Sequence, residues 1–217
     1  MSGPGEARAE AAVAAVTPGA QGEASPAPPT TPRGAPRQAR RGNLAADARR
    51  LRELKSKPFP WYVIESLLFE NGYQAVVLHR VAHACKRRHI PVLGPLFARL
   101  SLFLTGVDIA PAAEIGPGLL ISHGVGIVIG GYARIGAGAT ILHAVTIGGP
   151  YPSRRREMPT VGDDVFIGAG AMIIGDIHVG DRCFIGAAAM VNEDIPDDSV
   201  VVAETSIEIK PRRVPEA

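Results

Sequence analysis

Cysteine is nearly absent from this chain: Cys85 and Cys183 are the only two among 217 residues. Two thiols cannot build a disulfide framework, which excludes the small disulfide-stapled secreted scaffolds and fits a reducing cytoplasm. Excess charge is scarce too. The formal net charge is +2, so a pI near 8.7 is by itself no argument for a nucleic-acid partner. No stretch reaches the roughly 18 consecutive apolar residues of a membrane-spanning helix. The N-terminal "AEAAVAAV" carries an acid and lacks a basic lead into a purely apolar core, so no secretory signal and no membrane contact are expected.

What is present divides the chain into segments. Residues 1–42, as in "GEASPAPPTTPRGAPRQARRG", offer too little large apolar surface to offset the entropy of ordering, and a disordered Ala/Pro-rich tail is expected. Residues 43–105 read as a small helical cap. "NLAADARRLRELKSK" has amphipathic spacing and "KPFPW" interrupts it. "WYVIESLLFENGYQAVVLHRVAHACKRRH" is helical with a break at Asn71-Gly72, and "PVLGPLFARLSLFLTG" follows. His79 and His83 stand one helical turn apart, but no third ligand stands nearby, so packing or surface histidines are expected rather than a metal site.

At Val107 the period changes. Positions 109, 115, 121, 127, 133, 139 and 145 are aliphatic, and after an interruption so are 161, 167, 173, 179, 185 and 191. A helix repeats every 3.6 residues and a strand every 2, so a period of six belongs to neither alone. It suits a chain that turns a corner every six residues and points one aliphatic side chain inward from each short strand. Three strands close a triangular coil, and stacked coils make a parallel β-helix over 106–203. The fourth residue after each aliphatic (Val125, Gly131, Ala137, Ala171, Cys183, Ala189) forms a second, mostly small inward class, which also takes in His143. His123, two residues after Ile121, falls at an outward position available for chemistry. The count fails once, between 145 and 161. A loop over 148–160, "GGPYPSRRREMPT", is thrown out there, and 204–217 forms a C-terminal tail.

"VDIAPAAEIGPG", "HGVGIVIG", "AVTIGG" and "IGAGAMIIGDIHVG" resemble the serine acetyltransferase family, from about Gly72 to about Ser199. The resemblance implies the left hand of the β-helix and a CoA-dependent O-acetyltransferase that moves an acetyl group from acetyl-CoA to a small-molecule hydroxyl. It assigns His123 as general base and Asp108 as the carboxylate that orients the imidazole. Such a pair is what removing a hydroxyl proton needs. Spacing alone leaves Asp108 equally a corner or capping carboxylate. Gly148, Gly149, Ala169 and Ala187 match positions whose backbones line the CoA groove. Arg154, Arg155 and Arg156 either meet its phosphates or are simply exposed. No metal is implied. A homotrimer with shared sites is implied, and pairing of two trimers stays open.

The acceptor side departs from the family pattern. An aspartate precedes the base in that pattern, whereas this chain has Ser122. The Arg-His pair before the loop proline is here Glu157-Met158, and a helical aspartate before a proline is Lys57. These four positions are therefore candidate acceptor-binding residues with altered charge. Serine or another small alcohol is the expected acceptor, with a sugar or polysaccharide O-acetyltransferase as the alternative and a non-enzymatic β-helix scaffold as a remote one. The γ-type carbonic anhydrases, which use the same solenoid, require a histidine spacing that His123, His143 and His178 do not have.

Overall fold

The computed structural model describes residues 42–54, 61–151 and 156–203. Among the described residues, four helices precede the strands: α1 (Leu44–Leu54), α2 (Trp61–Phe69), α3 (Asn71–Arg87) and α4 (Leu93–Thr105). Asn43 Oδ1 accepts the Ala46 N–H at 2.7 Å and so caps α1. The break between α2 and α3 falls at Glu70, one residue before the expected Asn71-Gly72. Gly106 ends α4 with φ +72°, a left-handed conformation suited to glycine, and turns the chain into the first strand.

Among the described residues, fourteen short strands, β1 (Asp108–Ile109) through β14 (Val200–Val201), make three parallel sheets. The first face stacks β1 (Asp108–Ile109), β4 (Val128–Ile129), β7 (Thr146–Gly148), β10 (Met172–Ile174) and β13 (Met190–Val191). The second stacks β2 (Glu114–Ile115), β5 (Arg134–Ile135), β8 (Thr160–Val161) and β11 (His178–Val179). The third stacks β3 (Leu120–Ile121), β6 (Thr140–Ile141), β9 (Phe166–Ile167), β12 (Phe184–Ile185) and β14. From β1 to β13 successive strands lie on successive faces, so the chain winds as a three-sided prism. Each strand from β1 to β13 contributes one buried aliphatic, and Ile135, Ile141, Ile147, Ile167, Ile173 and Ile185 are wholly inaccessible to solvent.

The register corrects the sequence reading in the middle of the repeat. Ile109 pairs with Ile129 and Ile121 with Ile141, a step of 20 residues, whereas Ile129 pairs with Ile147, a step of 18. Two residues are therefore inserted in the corner after β3. From there to the loop, the inward strand positions are 129, 135, 141 and 147. Ile127, Ala133, Ala139 and Val145, assigned to that series from sequence, form the second inward class instead. Val125 is 62% exposed and His143 is exposed, so neither belongs inside. The loop is also shorter than expected: β7 runs through Gly148, β8 starts at Thr160, and Arg134 pairs with Thr160, an excess of eight residues over an ordinary coil.

The inserted pair is His123-Gly124. Upstream of it the Ser122 N–H reaches the Ile141 carbonyl at 3.0 Å, and downstream the Val125 carbonyl accepts the Ala144 N–H at 2.9 Å. Gly124 points inward: a Cβ there would lie 2.8 Å from Ile121 Cγ2 and 2.9 Å from Val107 Cγ2. Gly72, at the start of α3, presses on the Ile121 carbonyl with no room for a side chain. The helical cap thus touches the strand that leads into the bulge.

A buried ion pair joins the cap to the first coil. Arg80 donates to both Asp47 oxygens at 2.9 and 3.0 Å and to the carbonyls of Ile115 and Gly116 at 2.7 Å each. Asp47 Oδ1 also accepts the N–H groups of Gly118 and Leu119 at 2.9 and 3.1 Å. Breaking such a pair by removing one member typically costs about 3–5 kcal/mol.

Beside Arg80, His79 is 2% exposed, and neither ring nitrogen has a partner among the described residues. Burial, with the Arg80 and His83 charges adding to it, holds its pKa down at about 3. The unfolded chain, with an ordinary value near 6.5, binds the proton that the folded chain refuses between those limits. Stability is therefore highest above pH 6.5 and falls on acidification, by about 1.4 kcal/mol per pH unit. We expect the thermal midpoint to drop between pH 6.5 and 5, and to drop less in His79→Leu; equal slopes in thermal denaturation would refute the assignment. A second expectation follows from Gly124. Overpacking by one methyl should destabilise Gly124→Ala by about 1–3 kcal/mol, whereas Gly148→Ala, with nothing within 4 Å of the added Cβ, should melt like the parent.

Candidate active site

His123 is the first residue of the two-residue bulge at the edge where the third face turns into the first. Its φ is +55°, in the left-handed region that non-glycine residues seldom occupy and histidine tolerates better than most. The corner is tight, with the Val125 N–H reaching back to the His123 carbonyl at 2.8 Å. With Gly124 turned inward, the imidazole stands exposed on the outside of the prism.

Asp108 lies at the same edge. It opens β1, directly after the Gly106 turn, and Gly126 N–H donates to the Gly106 carbonyl at 2.8 Å. The bulge therefore sits one level above the entry to β1. Asp108 is half-buried on the outer side of the first face, beneath Val128. Among the described residues, neither the Asp108 carboxylate nor the His123 imidazole is engaged in a side-chain hydrogen bond. Ser122, half-buried, stands between the end of β3 and His123.

Above the bulge the same edge carries a column of corner residues. Gly170 N–H donates to the His143 carbonyl at 2.9 Å and Ala188 N–H to the Ala169 carbonyl at 2.8 Å, so Val125, His143, Ala169 and Ala187 occupy one corner position on successive coils. Among the described residues, the N–H groups of Ala169 and Ala187 find no partner in the chain, and both side chains are single methyls. A narrow track of free main-chain donors therefore runs upward from the bulge, the kind of surface a slender polyamide arm can lie along.

The remaining sequence-derived residues lie at the other edge of the first face. Gly148 and Gly149 lead into the loop there, and open space surrounds the position a Gly148 side chain would take. Met158 folds back against Gly130 and packs on the core, so it presents less surface to a ligand than its place in the loop suggested. Glu157 is half-buried and Arg156 exposed. Lys57, Arg154 and Arg155 lie outside the described residues. One chain thus brings together His123, Asp108, Ser122, Ala169 and Ala187, and holds Gly148, Gly149, Glu157 and Met158 apart from them across a face.

Two other groups are accounted for by packing. Cys183 is buried, burial pushes its thiol pKa up, and its Sγ lies 3.0 Å from the Pro196 carbonyl, so it acts as a small core residue. His83 Nδ1 lies 3.0 Å from the Pro111 carbonyl. Among the described residues, no group of three or more His, Cys, Asp or Glu side chains is placed to hold a metal ion, and no helix is long and apolar enough to cross a membrane. Sequence reasoning missed the bulge and the outward position of His143. The second aliphatic series, Ile129, Ile135, Ile141 and Ile147, was the signal that would have revealed both.

Residues 158–193 match the family model of the bacterial transferase hexapeptide, six repeats. Serine acetyltransferase of Helicobacter pylori (strain ATCC 700392 / 26695) is 40% identical over 138 residues, which cover 64% of this chain and 81% of that one. The Synechococcus elongatus serine acetyltransferase is 42% identical over 159 residues, 73% of this chain and 64% of its own. The crystal structure of Neisseria gonorrhoeae serine acetyltransferase superposes with a TM-score of 0.68 at 32% identity, covering 79% of this chain and 66% of that one. The chain spans just under two thirds of the length of several of these relatives, with 64% coverage of the Synechococcus protein. With its three parallel faces and repeats every six residues, the fold is the left-handed β-helix of these neighbours, and the chain belongs to the serine acetyltransferase family of hexapeptide-repeat transferases.

Proposed function

We propose that this protein is an acetyl-CoA-dependent O-acetyltransferase of the serine acetyltransferase type, acting on the hydroxyl of serine or another small alcohol. One observation carries the reading. In a chain of this family, a corner bulge pushes an exposed histidine out of the prism, at the edge where Ala169 and Ala187 higher up leave their main-chain N–H groups without a partner among the described residues. His123 is the general base, and Asp108, one level below at the same edge, orients the imidazole and offsets the charge it acquires. Ala169 and Ala187 offer N–H groups to the pantetheine arm, and Gly148 and Gly149 line the groove from a neighbouring prism. Acetyl-CoA supplies an activated acyl thioester, so the protein's tasks are to position the hydroxyl and take its proton, and no metal is needed. Free Cys85 and Cys183 fit a cytoplasmic setting.

Around the base this chain offers Ser122, and in its loop Glu157 and Met158, with Lys57 in the segment before α2. A carboxylate near Glu157 is repelled rather than held. Acceptors without a free carboxylate are therefore expected to turn over better than serine. The assay is CoA release with serine and with a panel of neutral alcohols. His123→Ala should lower turnover by roughly 10²- to 10⁴-fold while CoA binding, measured by calorimetry, stays close to the parent value. Full turnover in that variant would move the base elsewhere.

The division of groups between two edges supports a trimer in which each site is shared. The first face exposes Val128, Met172 and Met190, and the third carries the stacked rings of Phe166 and Phe184, 4.8 Å apart, with exposed Val200. The second face is polar, with Glu114 paired to Arg134 at 3.4 Å. Two apolar faces flanking the His123 edge suit burial against copies of the same chain, which brings the loop of one prism to the base of the next. Light scattering should give about three times the 22.7 kDa chain mass; a stable monomer at working concentration would refute the shared site.

A further inference from the structure

His143 has no structural work in the prism. It is exposed at a corner, its imidazole lacks a hydrogen bond among the described residues, and it lies in the column Val125, His143, Ala169, Ala187. Its place in that column is the informative feature. Ile121 pairs with Ile141, so β3 and β6 run together up to the corner, where one continues into the His123 bulge and the other into His143. Ala169 stands on the next coil, linked through the Gly170 N–H to the His143 carbonyl. Neighbouring strands are about 4.8 Å apart. His143 therefore lies one coil above the corner that carries His123 and Val125, and one coil below Ala169.

Resting on the reading of His123 as base and of Ala169 and Ala187 as the pantetheine track, we propose that His143 is a second catalytic imidazole, whose N–H donates to the thioester carbonyl oxygen. A thioester at the lower end of that track, within reach of His123, has to pass His143. The acceptor oxygen bonds to the acetyl carbon as its proton passes to His123, and the carbonyl electron pair moves onto the oxygen that His143 faces. When that pair returns, the carbon–sulfur bond breaks, and the departing sulfur takes the proton from His123 to leave as the free thiol. His143 neither gains nor loses a proton. It donates its N–H to the oxygen on which negative charge develops, the kind of contact whose removal typically lowers turnover by about 10²- to 10³-fold.

Three variants and one spectroscopic measurement test this on the full chain. His143→Ala should lower kcat by about 10²-fold, with the KM for acetyl-CoA and the thermal midpoint close to the parent values. His143→Gln, which keeps an N–H donor, should recover most of the loss. In ¹H–¹⁵N spectra of the imidazoles, S-acetonyl-CoA, an unreactive ketone with the same carbonyl, should shift the His143 resonance in both the parent and His123→Ala, whereas CoA alone should not. Parental turnover in His143→Ala, or a His143 resonance unmoved by the ketone, would overturn the assignment while leaving His123 as base. Parental turnover in His123→Ala would remove the underlying reading and this one with it.

Discussion

Everything in this chain hangs on the closing of each coil onto the one before it, through parallel hydrogen bonds and one inward aliphatic side chain per strand. Asp108 donates to Ile127, Leu120 to Ala139 and Thr140 to Val165, and the same exchange recurs up the prism. Strands of two or three residues could not hold a sheet alone. They persist because each side chain rests on its equivalents above and below, so Ile109, Ile129, Ile147 and Ile173 form a continuous column. Because every level is locked to its neighbours, a corner can depart from the pattern without disturbing the walls. The His123-Gly124 bulge is one such departure and the loop after β7 is another.

A stacked solid has ends, and the first coil has nothing beneath it. Its carbonyls at Ile115 and Gly116 would be left facing open space or an apolar cap, a costly position for buried polar groups. Arg80 answers both of them, and Asp47 answers the N–H groups of Gly118 and Leu119. The helical cap therefore does for the first coil what a preceding coil would do. The same cap seats Gly72 against the Ile121 carbonyl, so the surface that seals the end also sets the height of the corner from which His123 projects.

The prism itself was plain in the spacing, since a six-residue period of aliphatics has few other physical meanings. The Cys183 environment and the position of His123 were equally legible, because both follow from counting inward and outward positions. The middle of the repeat was not. Ile127 and Ile129, Val145 and Ile147, and the Ala133–Ile135 and Ala139–Ile141 pairs place an aliphatic at both inward positions of each side. A slip of two residues therefore leaves every counted position aliphatic. The insertion hid in that degeneracy and took His143 with it. The packing of Met158 against the core was invisible for another reason: it depends on the gap left by Gly130, a neighbour 28 residues away in the chain.

The loop after β7 has a consequence in polymer terms. An ordinary step of this helix joins residues 18 apart, as between Ile129 and Ile147, and the step over the loop joins Arg134 to Thr160, 26 apart. Closing the longer segment costs more entropy only in proportion to the logarithm of its length, about 0.3 kcal/mol by the flexible-chain formula. That is smaller than the effect of removing a single core methyl group. Chain length at this corner is thus almost free of thermodynamic constraint, while the walls to either side tolerate no change of register. A protein built this way can lengthen, shorten or recompose one loop, and with it the chemistry admitted between prisms, without renegotiating its fold.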